Sequence, residues 1–396
     1  MLSKTRLGQM TATGAAMLSL FAEWPTDRLA QLHADRAKGS NVGSDYPEFA
    51  IENEPMKPGL ANRLLPWRRS GDRGVLEEMV SWARSHSPEV LYYRAIDEPE
   101  YMWWLPMELS QRLGIPIVTH IMDDWPKRLV DAAKAKDRYT EVERLHDSIR
   151  RIFRHSARSL SICDKMSRAF DERYGVPFEA FQNSIDVQEW EGVERTRCVE
   201  DDGVFRLVYA GSLAEDMTLG SFVELVEAVG QLRTSGRPVE LHVYGARWWK
   251  KVFDEHVGKR AGIRYVGFVP REQYLQALRD ADLLVMPINF DQQSLVYIRF
   301  SLANKGPDYM ASGAPILVYG SPEAATVEYA QQQGWAEVVS EQSIDRLASA
   351  IVGLMDDAER RRELSARAAQ VGRAFHDAEV NRERFRQLMC DVADGR

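Results

Sequence analysis

The sequence predicts an α/β chain built from two doubly wound domains, each around a parallel sheet. The length of 396 residues exceeds what one typical core fills, so two domains are expected. Short apolar runs alternate with amphipathic stretches of helical period, the pattern of strand–helix–strand units. A polar stretch without period, residues 191–203, separates two such series and reads as a linker. The domains are therefore placed at 1–190 and 203–372, with a last helix over 375–396.

Composition narrows the function. Hydrophobic content of 44% and charged content of 28% are ordinary for a globular protein. A net charge of −8 argues against nucleic acid as the main partner. Cys163, Cys198 and Cys390 are far apart, without a CxxC, which fits reduced thiols and a cytoplasmic setting. No apolar run reaches the roughly 18–20 residues of a membrane span, and no secretory leader is evident.

In the first domain only Met1–Ser3 precede the polar loop KTRLGQMTATG, so the first strand is expected to be very short or the start clipped. Gly8 and Gly14 flank small residues in that loop, and Ala15–Phe21 reads as a helix. A lone Gly-rich loop is equally a plain strand–helix turn. Residues 38–74 lack periodicity. Within them Leu60, Leu64, Leu65 and Trp67 are interleaved with Arg63, Arg68 and Arg69, a segment that suits an anionic membrane surface, a lipid-diphosphate acceptor or an ordinary surface loop. Val75–Ser85 is an amphipathic helix, Val90–Tyr93 a buried strand, Tyr101–Leu113 a helix and Ile117–His120 a strand. Just past that strand His120, Asp123, Asp124 and Trp125 fall within six positions, where an open sheet carries its site. The plainer alternative is that His120 ends the strand and the aspartates start a helix. Glu141–Ala157 is a helix with Arg144, Arg150, Arg151 and Arg154 on one face, solvated or against a membrane. Ser159–Cys163 is a strand, Lys165–Tyr174 a helix, and Phe178–Gln182 a strand running into Asn183-Ser184-Ile185-Asp186.

The second domain opens with the strand Phe205–Ala210, then Gly211-Ser212, where a glycine lets backbone approach a ligand, and the helix Gly220–Leu232. Val239–Tyr244 ends at Gly245, and Ile263–Val266 runs into Gly267-Phe268-Val269-Pro270. Tyr274–Asp280 is a helix. Asp282–Met286 is an apolar strand stopped by Pro287, and a long loop leads to a helix that Pro307 starts and Gly313 ends, before the strand Ile316–Tyr319. Ser301, Asn304, Lys305 and Asp308 gather at that helix start, beyond a strand's carboxyl end, where anions bind. Asp308 could accept bonds from ribose hydroxyls or simply suit the helix dipole; the set suggests a nucleoside diphosphate. Trp335–Val339 is a last strand, and Ile344–Met355, Glu359–Arg373 and Asp377–Val392 are helices, the last amphipathic through Val380, Phe385, Leu388 and Met389.

Ser301-x3-Lys305-x2-Asp308-Tyr309-x3-Gly313-x-Pro315 resembles the donor signature of retaining, nucleotide-sugar-dependent glycosyltransferases with the GT-B fold, notably family 4. The resemblance covers the order of elements over roughly 205–370 and, more weakly, the first half. It implies two Rossmann-like domains facing across a cleft, the first binding the acceptor and the second the donor, with the last helix crossing back to the first. It implies a donor site of Gly211, Ser212, Gly245, Phe268, Val269, Arg299, Ser301, Asn304, Asp308 and Tyr309, the turn at Phe268 holding the nucleobase through backbone groups. On the acceptor side it places Thr13, Gly14, Asp124 and Trp125, with Asp123 first and His120 second as the residue facing the acceptor hydroxyl. Two departures stand out. The family commonly has an Arg and a Lys after the strand at 205–210, where this chain has Ala214, Glu215, Asp216, Met217 and Thr218; Lys305 and Arg299 would then supply the charge. The family's paired acids, with Asp308 as the second, put the first at Phe300, leaving Asp291, Gln292 or Gln293 to replace it.

Such an enzyme needs a clamp on the leaving diphosphate, a polar partner for the acceptor hydroxyl and exclusion of water. Lys305 and Arg299 serve the first, and Asp123 or His120 the second. No DxD flanked by apolar residues and no His/Cys spacing asks for a metal, and no cofactor is implied. The expected partners are a nucleotide sugar and a saccharide or lipid-linked acceptor, with peripheral contact at the inner face of the membrane, in polysaccharide or glycoconjugate assembly. The rivals are a GT-B scaffold that no longer catalyses and a dinucleotide oxidoreductase, although no GxGxxG follows an early strand.

Overall fold

The computed structural model describes residues 1–7, 12–35, 46–55, 71–136, 139–197 and 202–396. The segment carrying Leu60 to Arg69 lies outside them, as does Cys198. The chain forms two compact units, Met1–Asn183 with Glu379–Arg396, and Ser184–Ala378.

The first unit is built on a seven-stranded sheet in the order β3-β2-β1-β4-β5-β6-β7, all neighbours parallel. Its strands are β1 (Leu2–Ser3), β2 (Gln31–His33), β3 (Glu48–Ala50), β4 (Leu91–Arg94), β5 (Ile117–His120), β6 (Arg158–Ser161) and β7 (Phe178–Ala180). β4 and β5 are buried along their whole length, as strands covered by helices on both faces must be. Helices over Gly71–Ser85, Leu105–Leu113, Trp125–Lys134, Tyr139–His155 and Asp164–Tyr174 connect them. The final helix, Ala378–Ala393, sends Phe385, Leu388, Met389 and Val392 into this unit's core. Phe385 meets Phe21, Tyr92 and Phe181 edge-on, with ring centroids 5.1, 5.6 and 5.7 Å apart. Val380, expected on the apolar face, is exposed instead.

The second unit holds a six-stranded parallel sheet in the order β10-β9-β8-β11-β12-β13. Its strands are β8 (Phe205–Ala210), β9 (Val239–Tyr244), β10 (Ile263–Gly267), β11 (Leu283–Pro287), β12 (Ile316–Tyr319) and β13 (Glu337–Val339). Apolar clusters cover both faces, one led by Phe222, Leu241 and Ile351, the other by Leu278, Tyr309 and Trp335. These are the paired doubly wound α/β domains that the sequence predicts.

Several elements differ from the sequence reading. Strands β2 and β3 are too short and too mixed in composition to show a period. The stretch after β11, expected as loop, contains the helix Gln292–Ile298, capped by Asp291, whose carboxylate accepts from Ser294 N. Helices also form at Trp249–His256 and Ala325–Gln333. The first helix starts at Ala12, so Thr13 and Gly14 lie in its first turn rather than in a loop. Residues before 198 do not hang as a free linker. Trp190 is buried in the second unit, Arg195 and Arg197 grip buried Asp282 at 2.5 and 2.7 Å, and Thr196 donates twice to Asp280.

Candidate active site

In the second sheet the strand order reverses between β8 and β11, and the loops beyond their carboxyl ends frame the position where open α/β sheets take ligands. Strands here end on small residues for steric reasons. A Cβ on Gly211 would meet the Tyr209 ring at 2.5–3.0 Å, and one on Gly320 would meet Ile288 at 2.7 Å. The loop after β8 is folded on itself. Its Ser212 carbonyl accepts from Thr218 Oγ1 at 2.7 Å and from the Tyr209 hydroxyl, and the Ala214 carbonyl accepts from three successive backbone N–H groups.

Asn289, which the sequence reading missed, ties the two loops together. Its side chain is 3% exposed. Oδ1 accepts from Ser221 N at 3.2 Å, and Nδ2 donates to the Glu215 carbonyl at 2.8 Å and to Ser294 Oγ at 2.9 Å. Its own backbone N–H donates to the Met217 carbonyl. Thr218, the N-cap of the helix Leu219–Thr234, makes no side-chain cap, so Asn289 satisfies that helix from 68 residues away.

The run from 299 to 309 has a mixed fate. The short helix Gly306–Ser312 begins with Pro307 in its first turn and stops at Gly313, whose φ of 75° is the left-handed conformation that favours glycine. Lys305 precedes it, exposed, with Nζ 5.0 Å from the centroid of the Tyr274 ring. Arg299 pairs with Glu323 at 2.6 Å in solvent, a contact worth little that a diphosphate can displace. Ser301 spends its hydroxyl on the Tyr297 carbonyl, and Ala303 N donates to Thr326 Oγ1. Asn304 is exposed. Asp308, read as a ribose contact or as a first-turn acid, lies in the first turn and accepts from Arg271 at 3.0 and 3.2 Å and from the Tyr274 hydroxyl at 3.2 Å. Burial lowers the Arg271 pKa, but Asp308 and Glu189 outweigh it and hold the guanidinium charged. Tyr309 does not reach solvent: it is buried, and its hydroxyl accepts from Ala210 N at 2.8 Å, fixing the end of β8. Helix Arg271–Arg279 thus supplies two site residues, Arg271 and Tyr274, whose spacing of one turn was the available signal.

Beyond β9 and β10, Gly245 N donates to the Gly267 carbonyl at 3.2 Å, and a Cβ on Gly245 would meet the Gly211 carbonyl at 2.9 Å. Gly245, Gly211 and Gly267 therefore bring three strand ends close. Phe268 projects from the last of them, 65% exposed, and Val269 is half-buried.

In the first unit the four residues read together after β5 separate. His120 is wholly buried, its Nδ1 2.9 Å from the Tyr92 hydroxyl, and burial followed by the Arg94 charge pushes its pKa down to about 3. It is a neutral residue of the core. Asp124 is also internal. It caps the helix Trp125–Lys134 through Lys127 N and receives both arms of Arg173 at 2.6 and 2.8 Å. Trp125 is buried and stacks on Trp103 at 6.5 Å. Asp123 alone faces outward, its side chain 63% exposed, 3.7 Å from Nη2 of Arg94. No group of three or more His, Cys, Asp or Glu among the described residues is placed to hold a metal. No described helix is long and apolar enough to cross a membrane.

Residues 204–357 match the family model described as Glycosyl transferases group 1. A comparison with curated protein sequences finds no match. Among solved structures, the chain is similar to HepE of Anabaena in complex with UDP, at 12% identity over 98% of each chain and a TM-score of 0.68. It is similar to sucrose-phosphate synthase of Thermosynechococcus elongatus, at 12% identity over 100% of this chain and 99% of that one, with a TM-score of 0.68. It is also similar to the α,α-trehalose 6-phosphate synthase of Burkholderia multivorans, at 12% identity over 100% and 98% of the two chains, with a TM-score of 0.63. The chain thus has the GT-B fold of two Rossmann-like domains, and over residues 204–357 it is similar to the glycosyl transferases of group 1.

Proposed function

We propose that this glycosyltransferase moves a sugar from a nucleoside diphosphate sugar to a hydroxyl of a saccharide or lipid-linked acceptor, with retention of configuration and without a metal ion. The observation that carries the reading is the group 1 domain itself, with its strand-order reversal between β8 and β11 flanked by exposed Lys305. In this reading Lys305 and Arg299 meet the charge that develops on the leaving diphosphate, Arg299 by exchanging Glu323 for phosphate oxygens. Phe268 offers its face to the base, and Asp123, the outward member of its cluster, orders the acceptor hydroxyl and takes its proton. Asn289, Tyr309 and Arg271 touch no reacting atom and position the loops that do. Assembly of polysaccharide or glycoconjugate on the cytoplasmic side, with peripheral membrane contact, is part of the same proposal.

The test is calorimetric titration of UDP, GDP, dTDP and ADP into the protein and into Lys305→Ala, followed by turnover of the matching nucleotide sugars with and without EDTA. UDP-glucose comes first, because HepE has been crystallised with it. Selective binding of one diphosphate, weakened about tenfold in the variant, supports the reading. A folded protein that binds none of the four would instead be a scaffold, in keeping with Glu215 and Asp216 standing where the family commonly places cations.

A further inference from the structure

We propose that the first unit recognises its acceptor through an anionic group, a phosphate or a carboxylate, received by the buried guanidinium of Arg94. The word acceptor rests on the glycosyl-transfer reading; the anion site stands on the first unit alone.

The apolar run of β4 ends in Arg94, whose side chain is 4% exposed. No other arginine or lysine among the described residues is buried. Elsewhere this chain matches a buried charge with close partners: Asp124 has both arms of Arg173, and Asp282 has Arg195 and Arg197. Arg94 is not matched in that way. Nη1 donates to the neighbouring Ala95 carbonyl at 2.9 Å, Nε has no partner, and Nη2 lies 3.7 Å from Asp123, beyond hydrogen-bond reach. Apart from Asp123, its neighbours on β4 and β5 carry no charge to offset its own. His120, its register neighbour on β5, is neutral, and burial holds the Tyr92 and Tyr93 phenols protonated.

A buried guanidinium whose carboxylate partner is one exposed side chain 3.7 Å away is costly, and its orphaned Nε lies on the Nε–Nη2 edge, a side with two parallel N–H groups. That edge fits two oxygens of one carboxylate or phosphate. Its place is also where ligands bind: β4 neighbours β1, at the reversal of strand order in the first sheet, and Arg94 is the strand's last residue. Asp123 is mostly solvated, and its 3.7 Å pair with Nη2 is weak enough for an arriving anion to compete with. A second unpartnered donor, Trp125 Nε1, lies two residues further along.

The experiment titrates inorganic phosphate, glucose 6-phosphate, glucuronate and glucose into the full chain, alone and with saturating nucleotide to fill the donor site. It is repeated on Arg94→Gln and on Asp123→Asn, the latter an exposed position that leaves the core intact. The expected result is binding of the phosphate or the carboxylate compounds, at least about tenfold weaker in Arg94→Gln and tighter in Asp123→Asn, where the competing carboxylate is gone. Which sugar binds distinguishes phosphate from carboxylate. Charged compounds that bind no better than glucose, or that ignore both substitutions, overturn the proposal. Should Arg94→Gln fail to fold, the sign of the Asp123→Asn effect decides. Failure of the glycosyl-transfer reading would appear separately, as absent nucleotide binding, and the titrations without nucleotide still judge the Arg94 site.

Discussion

Replacing Asn289 with alanine removes three hydrogen bonds at one stroke, and their surroundings set the expected loss. Ser221 N is buried in the first turn of its helix and loses the acceptor it has, which costs about 1–3 kcal/mol. Ser294 Oγ keeps Asp291 at 2.7 Å, and the carbonyl of exposed Glu215 can turn to water, so these two add about 1 kcal/mol together. The second unit should therefore lose about 2–4 kcal/mol, read as a lower urea midpoint of its transition followed through tryptophan fluorescence. Nucleotide affinity should fall as well, because the loops after β8 and β11 are no longer held to each other. Asn289→Asp sharpens the test. It keeps the shape but sets an ionised carboxylate against the Glu215 carbonyl. Burial would raise that carboxyl's pKa above its unfolded value of about 3.9, so stability present below that pH is lost as pH rises. This variant should be near wild type at about pH 4 and worse than the alanine variant at about pH 7. If both variants stay within about 0.5 kcal/mol of wild type and bind nucleotide unchanged, Asn289 is a passenger and the reasoning fails.

Other substitutions test the remaining contacts. Asp124→Ala takes the buried carboxylate away from the Arg173 guanidinium and should cost about 3–5 kcal/mol; combining it with Arg173→Met should recover part of that, and a double variant as weak as the single would reject the pairing. His120 is held at about 3 against an unfolded value near 6.5, so its contribution is complete above that value and is lost as pH falls. By pH 5 that loss is about 2 kcal/mol, and His120→Asn should flatten the slope of urea midpoint against pH. Asp282→Asn weakens the grip on Arg195 and Arg197, so trypsin should cut after those residues several times faster, and an unchanged digest would mean that the segment is held by other contacts.

The sequence revealed the strands because their signal is local. Ile316–Tyr319 and Phe205–Ala210 are β-branched and aromatic runs buried on both faces, and nothing distant is needed to read them. Gly313 and Pro315 punctuated the short helix for the same reason. The site was less legible because its residues are sorted by contacts remote in sequence. Asp123 and Asp124 are adjacent and alike as letters. One is the N-cap of a helix and meets Arg173 across the fold, and the other is turned out to solvent. Asp308 stood out by its spacing, but nothing local announced that Arg271, 37 residues earlier, pairs with its carboxylate.

Spacing therefore finds the place of a site more readily than the duty of each residue in it. In both units the βα alternation marked the carboxyl ends of the strands, and in both the polar residues nearest them divide in two. Asn289, Tyr309 and Asp124 have every strong bond directed at their own chain, and such residues fix geometry. Asp123 and Lys305 face solvent instead, and Arg94 is buried with its Nε unpartnered. A folded chain that leaves a guanidinium N–H unsatisfied in its interior has given up stability there. Recognition of an incoming anion is the physical reason that explains why the loss is tolerated.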